Sequence, residues 1–396
     1  MKSFSRTVLL VFSLFVFISP ACVQRSQSPS SPSQKTAHTV RTEIVIAAVG
    51  DVMMPGSIQA TIAKKKYNYD LLFEKVTLDL SAADITFANL ETPVDHGARI
   101  SGYPKFNARP ELLASLKRAG VDIVSIANNH VMDAGVAGLK RTLGNIDAAG
   151  LVFVGAGSTK AGATEIKRIT AKDMTVAFLA YTYSTNERLP RRKPDEPGVN
   201  ILRTDSEADL ALAVERVKEA GQSSDLVVVS LHWGDEYAAV PTAWQRQVAE
   251  ELIETGADII LGHHPHVLQP IESHTAEDGR QGLIVFSLGN FISTQNSGVS
   301  YKNKNSSRAR RGDGIILSIT IVKEAGKTSI SRADFLPIWT LRDMVGRSRI
   351  FRPVRLAREI ERLNAITERS RDEEGLLKLL SYRREVILKK LTKKPE

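Results

Sequence analysis

A layered α/β domain is expected of this chain on three grounds. Apolar runs of strand length recur between residues 43 and 341, segments of helical period separate them, and several runs end in Gly, Asp, Asn or His. Composition agrees: the 396 residues are 42% apolar and 24% charged, the make-up of an ordinary globular chain. That excludes wholesale disorder, collagen, a coiled coil and a polytopic membrane protein. A single cysteine, Cys22, excludes an intramolecular disulfide and a Cys-based zinc site, so any metal must be held by His, Asp, Glu or Asn.

Lys2 and Arg6 precede an apolar stretch from Val8 to Ile18, followed by Ser19-Pro20-Ala21 and Cys22. This is the layout of a bacterial secretory signal over residues 1–21, and the stretch is too short to span a bilayer. A small residue before the only cysteine resembles a lipoprotein lipobox, with Ser19 where Leu is usual. The expectation is an exported protein held to the membrane through lipidated Cys22; the alternatives are a simple cleaved signal or an uncleaved anchor. Residues 23–40 are rich in Ser, Pro and Gln and read as a flexible tether.

The folded part begins near Glu43. Ile44 to Val49 is an apolar run, Tyr69 to Leu80 is helix-like, and Ile85 to Ala88 is a short strand. Pro110 to Ala119 is a helix with Pro at its start and Gly120 beyond its end. Val121 to Ala127 is the next strand, and the helix predicted over 134–149 puts Val136, Leu139, Leu143 and Ile146 on one face. Further strands are expected around 151–154, 175–181, 225–231, 258–261 and 283–287. After residue 313 the alternation of Ile315, Leu317, Ile319 and Ile321 predicts a hairpin closing over 328–338. Residues 342–396 are expected to form a basic helical extension, with Leu356, Ile360 and Leu363, then Leu376, Leu380 and Ile387, along an apolar face.

Charge is uneven. Residues 342–396 carry 16 basic and 9 acidic side chains, a net of +7, whereas residues 22–341 carry 35 of each. Within the neutral part Lys302, Lys304, Arg308, Arg310 and Arg311 follow one another without an intervening acid. Both segments are placed to contact an acidic polymer or anionic headgroups, or else form a solvated face. Without interleaved aromatic residues, no nucleic-acid partner is expected.

Chemistry concentrates at strand ends. The first run stops at Gly50-Asp51, and alternation sends Asn89 and Glu91 of the second to one side. The third ends in Asn128-Asn129-His130, where turn chemistry is the alternative reading of the two amides. Later runs end in His232-Trp233-Gly234 and Gly262-His263-His264-Pro265-His266. Five of the eight histidines thus follow apolar strands, and with Asp51 and Glu91 at other strand ends they predict a metal site. Imidazole with carboxylate suits Zn, Mn, Fe or Co better than Ca or Mg.

Taken in order with Ser287-Leu288-Gly289-Asn290-Phe291, these motifs resemble the CapA-type capsule synthesis proteins over about residues 43–295. The resemblance implies a metallophosphoesterase-like (calcineurin-like) β-sandwich flanked by helices. It also implies a part in synthesis, processing or export of poly-γ-glutamate or a similar acidic capsule polymer, alongside other capsule synthesis membrane proteins. Residue by residue, it implies that Asp51, Glu91, Asn129, His232, His264 and His266 hold one or two divalent transition ions (Mn, Zn or Fe). His130 is then the nearby acid or anion-binding group, and His263 stands behind the ligands or as an alternative to one. Met53 stands where calcineurin-like enzymes have His, and Glu91 where a bridging Asp is usual, departures expected to weaken or remove one metal position. The expected chemistry is hydrolysis or transfer at a γ-glutamyl amide. Phosphoester hydrolysis and a non-catalytic polymer-binding or export scaffold are the other readings.

Overall fold

The computed structural model describes residues 41–188 and 195–392; the expected signal, Cys22 and the expected tether lie outside the described residues. The chain opens with β1 (Arg41–Val52), β2 (Ile85–Leu90), β3 (Ile123–Ser125) and β4 (Val152–Val154), paired in parallel in that order. A small bridge joins β5 (Ala156–Gly157) to β8 (Gly198–Val199). Between them lie β6 (Lys167–Ala171) and β7 (Met174–Thr182), followed by β9 (Leu226–His232), β10 (Ile259–His263), β11 (Ile271–Thr275) and β12 (Gln281–Val285). These build a second sheet in the order β11-β12-β10-β9-β7-β6. The chain then returns to the first sheet: β13 (Asn290–Ile292) runs beside the end of β1, while β14 (Asp313–Glu324), β15 (Lys327–Val345) and β16 (Ser348–Arg355) extend its other edge in antiparallel pairing.

Alternation along the strands assigns the layers. In β1, Ile44, Ile46 and Ala48 enter a core shared with Met174, Val176 and Phe178 of β7 and Leu226 and Val228 of β9, so the two sheets face each other. Phe87 stacks on Phe178 across that interface, with ring centroids 6.2 Å apart. The intervening residues Ala177, Leu179, Val227 and Val229 turn outward onto the helices Glu207–Gly221 and Ala243–Thr255. On the opposite side Val49, Val52, Ala88 and Leu90 meet Leu112, Leu116, Leu139 and Leu143 of the helices Glu111–Arg118 and Gly135–Ala148. The result is the helix-flanked β-sandwich that the motifs implied. The helix-like stretch at Tyr69 to Leu80 divides into two short helices, Asp70–Phe73 and Thr77–Leu80.

The close of the chain corrects one expectation. Residues 342–355 are not helical: β15 runs to Val345 and β16 follows, because Ile350, Arg352 and Val354 turn one face into the protein. Arg352 enters with its charge answered, donating to Asp343 and Glu74. Helices then cover Leu356–Asn364 and Arg371–Thr392, and Leu356, Leu363, Leu380, Ile387 and Leu391 join the core between the sheets. No helix among the described residues is long and apolar enough to cross a membrane.

Two glycines allow the strand ends to converge. A Cβ at Gly50 would stand 1.9 Å from the Gly289 carbonyl oxygen, and one at Gly262 would stand 1.9 Å from that of Phe286. Each glycine directly precedes residues of the candidate site.

Candidate metal centre

The sandwich brings the strand ends of both sheets to one place. From the first sheet come Asp51 at the end of β1, Glu91 just beyond β2, and Asn129 and His130 beyond β3; from the second come His232 ending β9 and His263, His264 and His266 at and beyond β10. His232 Nε2 lies 3.0 Å from Asn129 Oδ1 and 3.7 Å from Glu91 Oε1. His266 Nε2 is also 3.7 Å from that Glu91 oxygen, and its Nδ1 is 3.0 Å from Asp51 Oδ2. One ligand atom each from Asp51, Glu91 and His232 falls within a 4.8 Å circle, as does one each from Glu91, His264 and His266. Glu91 is common to both groups. All six residues predicted as ligands are therefore neighbours, and all are buried.

His264 and His266 are aimed by an unusual backbone, with φ of +94° and +56°. Such conformations cost about 1–3 kcal/mol each for a residue with a Cβ. Packing answers part of that cost: His264 lies with its ring centroid 4.8 Å from those of both Tyr183 and His232. His263 stays in the strand, against Phe87, with Nδ1 3.4 Å from Asp51 Oδ1. It thus stands behind Asp51, on the core side of the cluster.

Whether these residues suit a cation is answered by their unpaired atoms. Both carboxylate oxygens of Glu91 and Nδ1 of His264 are buried without a hydrogen-bond partner. Burying an acid so costs several kcal/mol unless a positive charge meets it. Burial, followed by the negative charges of Asp51, Glu236 and Asp133, drives the Glu91 carboxyl well above its ordinary range despite the opposing His266. Burial also opposes ionisation of Asp51, but the His263 and His266 imidazoles outweigh it and hold that acid low. Burial disfavours a charged His266 as well, yet Glu91 and Asp51 raise it to about 9. His264 is lowered to about 3 by burial and the charge of His266, and His232 is lowered by burial and His264. Neutral His232 and His264, with Asp51 held ionised and both Glu91 oxygens lacking a hydrogen-bond partner, form a donor set that fits a divalent transition cation.

His130 stands at the edge of this cluster rather than in it. Its Nδ1 is 2.7 Å from Asp133 Oδ2, its ring meets Phe106 edge-on at 4.6 Å, and the Asn186 amide lies 3.4 Å from Nδ1. Asn186 also accepts from the Asn129 amide at 3.4 Å, tying the proton-carrying candidate to a predicted ligand. The two readings of Asn128 coexist: its Oδ1 accepts from the His130 N–H in a turn, while its Nδ2 donates to Asn89 Oδ1 and the Leu90 carbonyl. Asn89 donates to Asp51 at 2.8 Å and lies 3.3 Å from His232 Nδ1.

Sequence reasoning gave Asn89 no role of its own and passed over Asp133, Tyr183, Asn186 and Tyr237. Asp133 had a signal, three residues beyond His130 in the same turn. The others come from loops between strands, where periodicity says nothing.

A model of the bacterial capsule synthesis protein family PGA_cap matches residues 45–295. The PGA biosynthesis protein CapA of Bacillus subtilis (strain 168) is 35% identical over 251 residues, which is 62% of this chain and 62% of that protein. The capsule biosynthesis protein CapA of Bacillus anthracis is 31% identical over 310 residues, 74% of this chain and 70% of that one. The alignment thus spans about three-fifths of the first relative's length and somewhat over two-thirds of the second's. Among solved structures, the calcineurin-like phosphoesterase YfkN from Bacillus subtilis superposes at a TM-score of 0.37 and 12% identity, covering 87% of this chain and 100% of that chain.

Proposed function

Because the chain belongs to the bacterial capsule synthesis protein family PGA_cap, we propose that it acts on an acidic capsule polymer of the poly-γ-glutamate class at the cell envelope. In this reading Cys22 is the lipid anchor, and the reaction is metal-dependent hydrolysis or transfer at a γ-glutamyl amide. The observation that supports the catalytic part is Glu91, a fully buried carboxylate with no hydrogen-bond partner on either oxygen, facing imidazoles from three positions.

Asp51, Glu91, Asn129, His232, His264 and His266 would hold the ion. A divalent transition metal bound there supplies Lewis acidity toward a carbonyl oxygen and toward water. The protein's own contribution is orientation and proton transfer. With Nδ1–H of His130 given to Asp133, its Nε2, 3.5 Å from the Asn186 amide, is the end that would pass a proton to the substrate. In hydrolysis water adds to the amide carbon, the C–N bond breaks, and the leaving nitrogen takes the proton from His130 Nε2. The neutral imidazole then recovers a proton from the attacking water, so that acid and amine are the products. In transfer, an amine takes the place of the water.

The test incubates metal-loaded protein with poly-γ-glutamate and with p-nitrophenyl phosphate in parallel. Chain shortening that disappears in His130→Ala is expected. Phosphate release alone would assign a phosphoesterase, and polymer bound but left intact would assign a scaffold; either result overturns the amide reading.

A further inference from the structure

One cation close to the metal cluster has no acidic partner among the described residues. Arg311 is partly buried, its Nε is buried without a hydrogen-bond partner, and no carboxylate among the described residues lies within ion-pair distance of its guanidinium. Its Cζ sits 3.6 Å from the centroid of the Tyr237 ring. That ring is in turn 6.2 Å from the ring of His266. Stacking on an aromatic face holds a guanidinium in one plane while leaving its outer N–H groups available.

The position is fixed from below as well. The Asn290 amide donates to the carbonyl of His266 at 3.2 Å and to the carbonyl of Arg311 at 2.9 Å, so one side chain ties the backbone of a predicted ligand to that of the arginine. Asn290 lies beside Asp51 in the pairing of β13 with β1. Gln295, which accepts from the same amide, reaches the Tyr237 hydroxyl at 3.5 Å. The rest of the basic run is directed elsewhere. Lys304 lies over Tyr301 and Tyr382, Arg308 donates to the Ser297 carbonyl, and Lys302 and Arg310 are exposed.

We propose that Arg311, presented by Tyr237, is the carboxylate-receiving group of the site, pairing with the free α-carboxylate next to the amide that the metal cluster faces. This rests on the γ-glutamyl reading above and narrows it. In a γ-linked glutamyl chain the α-carboxylate is borne on the carbon bonded to the amide nitrogen. A planar guanidinium that grips the carboxylate through two N–H groups therefore also fixes the amide. The site then selects chains whose α-carboxylates are free, and Arg311 is a positioning and specificity residue rather than a participant in bond breaking.

The test measures binding of two probes to metal-loaded full-length protein: a γ-linked glutamyl oligomer, and the same oligomer with its α-carboxylates amidated. Wild type should prefer the free acid by about tenfold or more. Arg311→Gln should bind both oligomers alike, Arg311→Lys should recover part of the preference, and both variants should keep their metal and melt as wild type does. A preference that survives in a folded Arg311→Gln overturns the assignment while leaving the polymer reading standing. Equal binding of the two probes by wild type also overturns it. If wild type binds neither oligomer, the polymer reading falls and takes this inference with it. If both arginine variants unfold or lose metal, Arg311 is a structural latch and the proposal is wrong.

Discussion

Asp133 Oδ2 faces His130 Nδ1 and accepts from the backbone N–H of Phe106, each at 2.7 Å. One carboxylate therefore sets both the orientation of the imidazole and the wall it packs against. Asp133→Asn retains the shape and removes the charge that favours one tautomer; it should lower kcat for polymer cleavage by about ten- to a hundredfold with the metal content unchanged. Steady-state kinetics with elemental analysis checks this, and an unchanged kcat would remove His130 from its role. The strand-end residues were legible because a buried run that stops at Asp, Asn or His is anomalous in itself. The meeting of Tyr237 with Arg311 was not, since it depends on how the segments after β9 and β13 fold back, which no local pattern encodes. The positive φ of His264 and His266 is hidden for the same reason: neither residue type announces it.

Strand entry follows a repeated device. Asp84, Asp122, Asp225 and Asp258 each stand immediately before a parallel strand, and each accepts the backbone N–H of a residue on the neighbouring strand: Val45, Thr86, Thr175 and Val227, at 2.8 to 3.0 Å. The signature is plain in Ala83-Asp84-Ile85, Val121-Asp122-Ile123, Ser224-Asp225-Leu226 and Ala257-Asp258-Ile259. Only three residues recur each time, too few to stand out as an internal repeat. Burial pushes Asp258 up to about 6, the Val227 N–H and Arg280 opposing it only in part. A folded-state value above the unfolded one means that the contribution is present below about pH 4 and lost as pH rises through 6. Asp258→Asn, neutral throughout, should therefore gain on wild type by up to about 3 kcal/mol between pH 4 and 7. Denaturant titrations at several pH values measure it, and a difference independent of pH would contradict the burial argument. Strand positions were readable from alternation and apolar runs; the continuation of the sheet through β16 was not, because Arg342, Arg347, Arg349, Arg352 and Arg355 mask a period-two pattern, and only the fold pairs Arg352 with Asp343 and Glu74 and Arg355 with Asp79.

At the scale of the molecule, the closing segment is a structural member. Arg383 is almost fully buried, pairs with Asp313 and donates to the Lys304 carbonyl, while Lys390 donates to the carbonyls of Leu268 and Ala239. Arg355 and Arg358 meet Asp79, and Arg362 meets Glu359. The sequence excess of +7 therefore overstates the charge this segment offers to a polymer, and Lys390 in particular is no free surface cation. Arg383→Ala should cost about 3–5 kcal/mol by leaving Asp313 buried and unpaired, with Asp313→Asn recovering part of the loss in the double variant; a cost below about 1 kcal/mol would show the pair to be incidental. The same architecture makes the candidate metal centre a property of the whole sandwich, since its predicted ligands come from both sheets and from positions as far apart in sequence as Asp51 and His266. If the cluster is to hold a divalent transition metal, elemental analysis of purified wild type, His232→Ala and His264→Ala must show it. One or two equivalents per chain in wild type, with a clear loss in both folded variants, is the predicted result; variants that retain as much metal as wild type, or a wild type that takes up none from Mn, Zn or Fe, would contradict it.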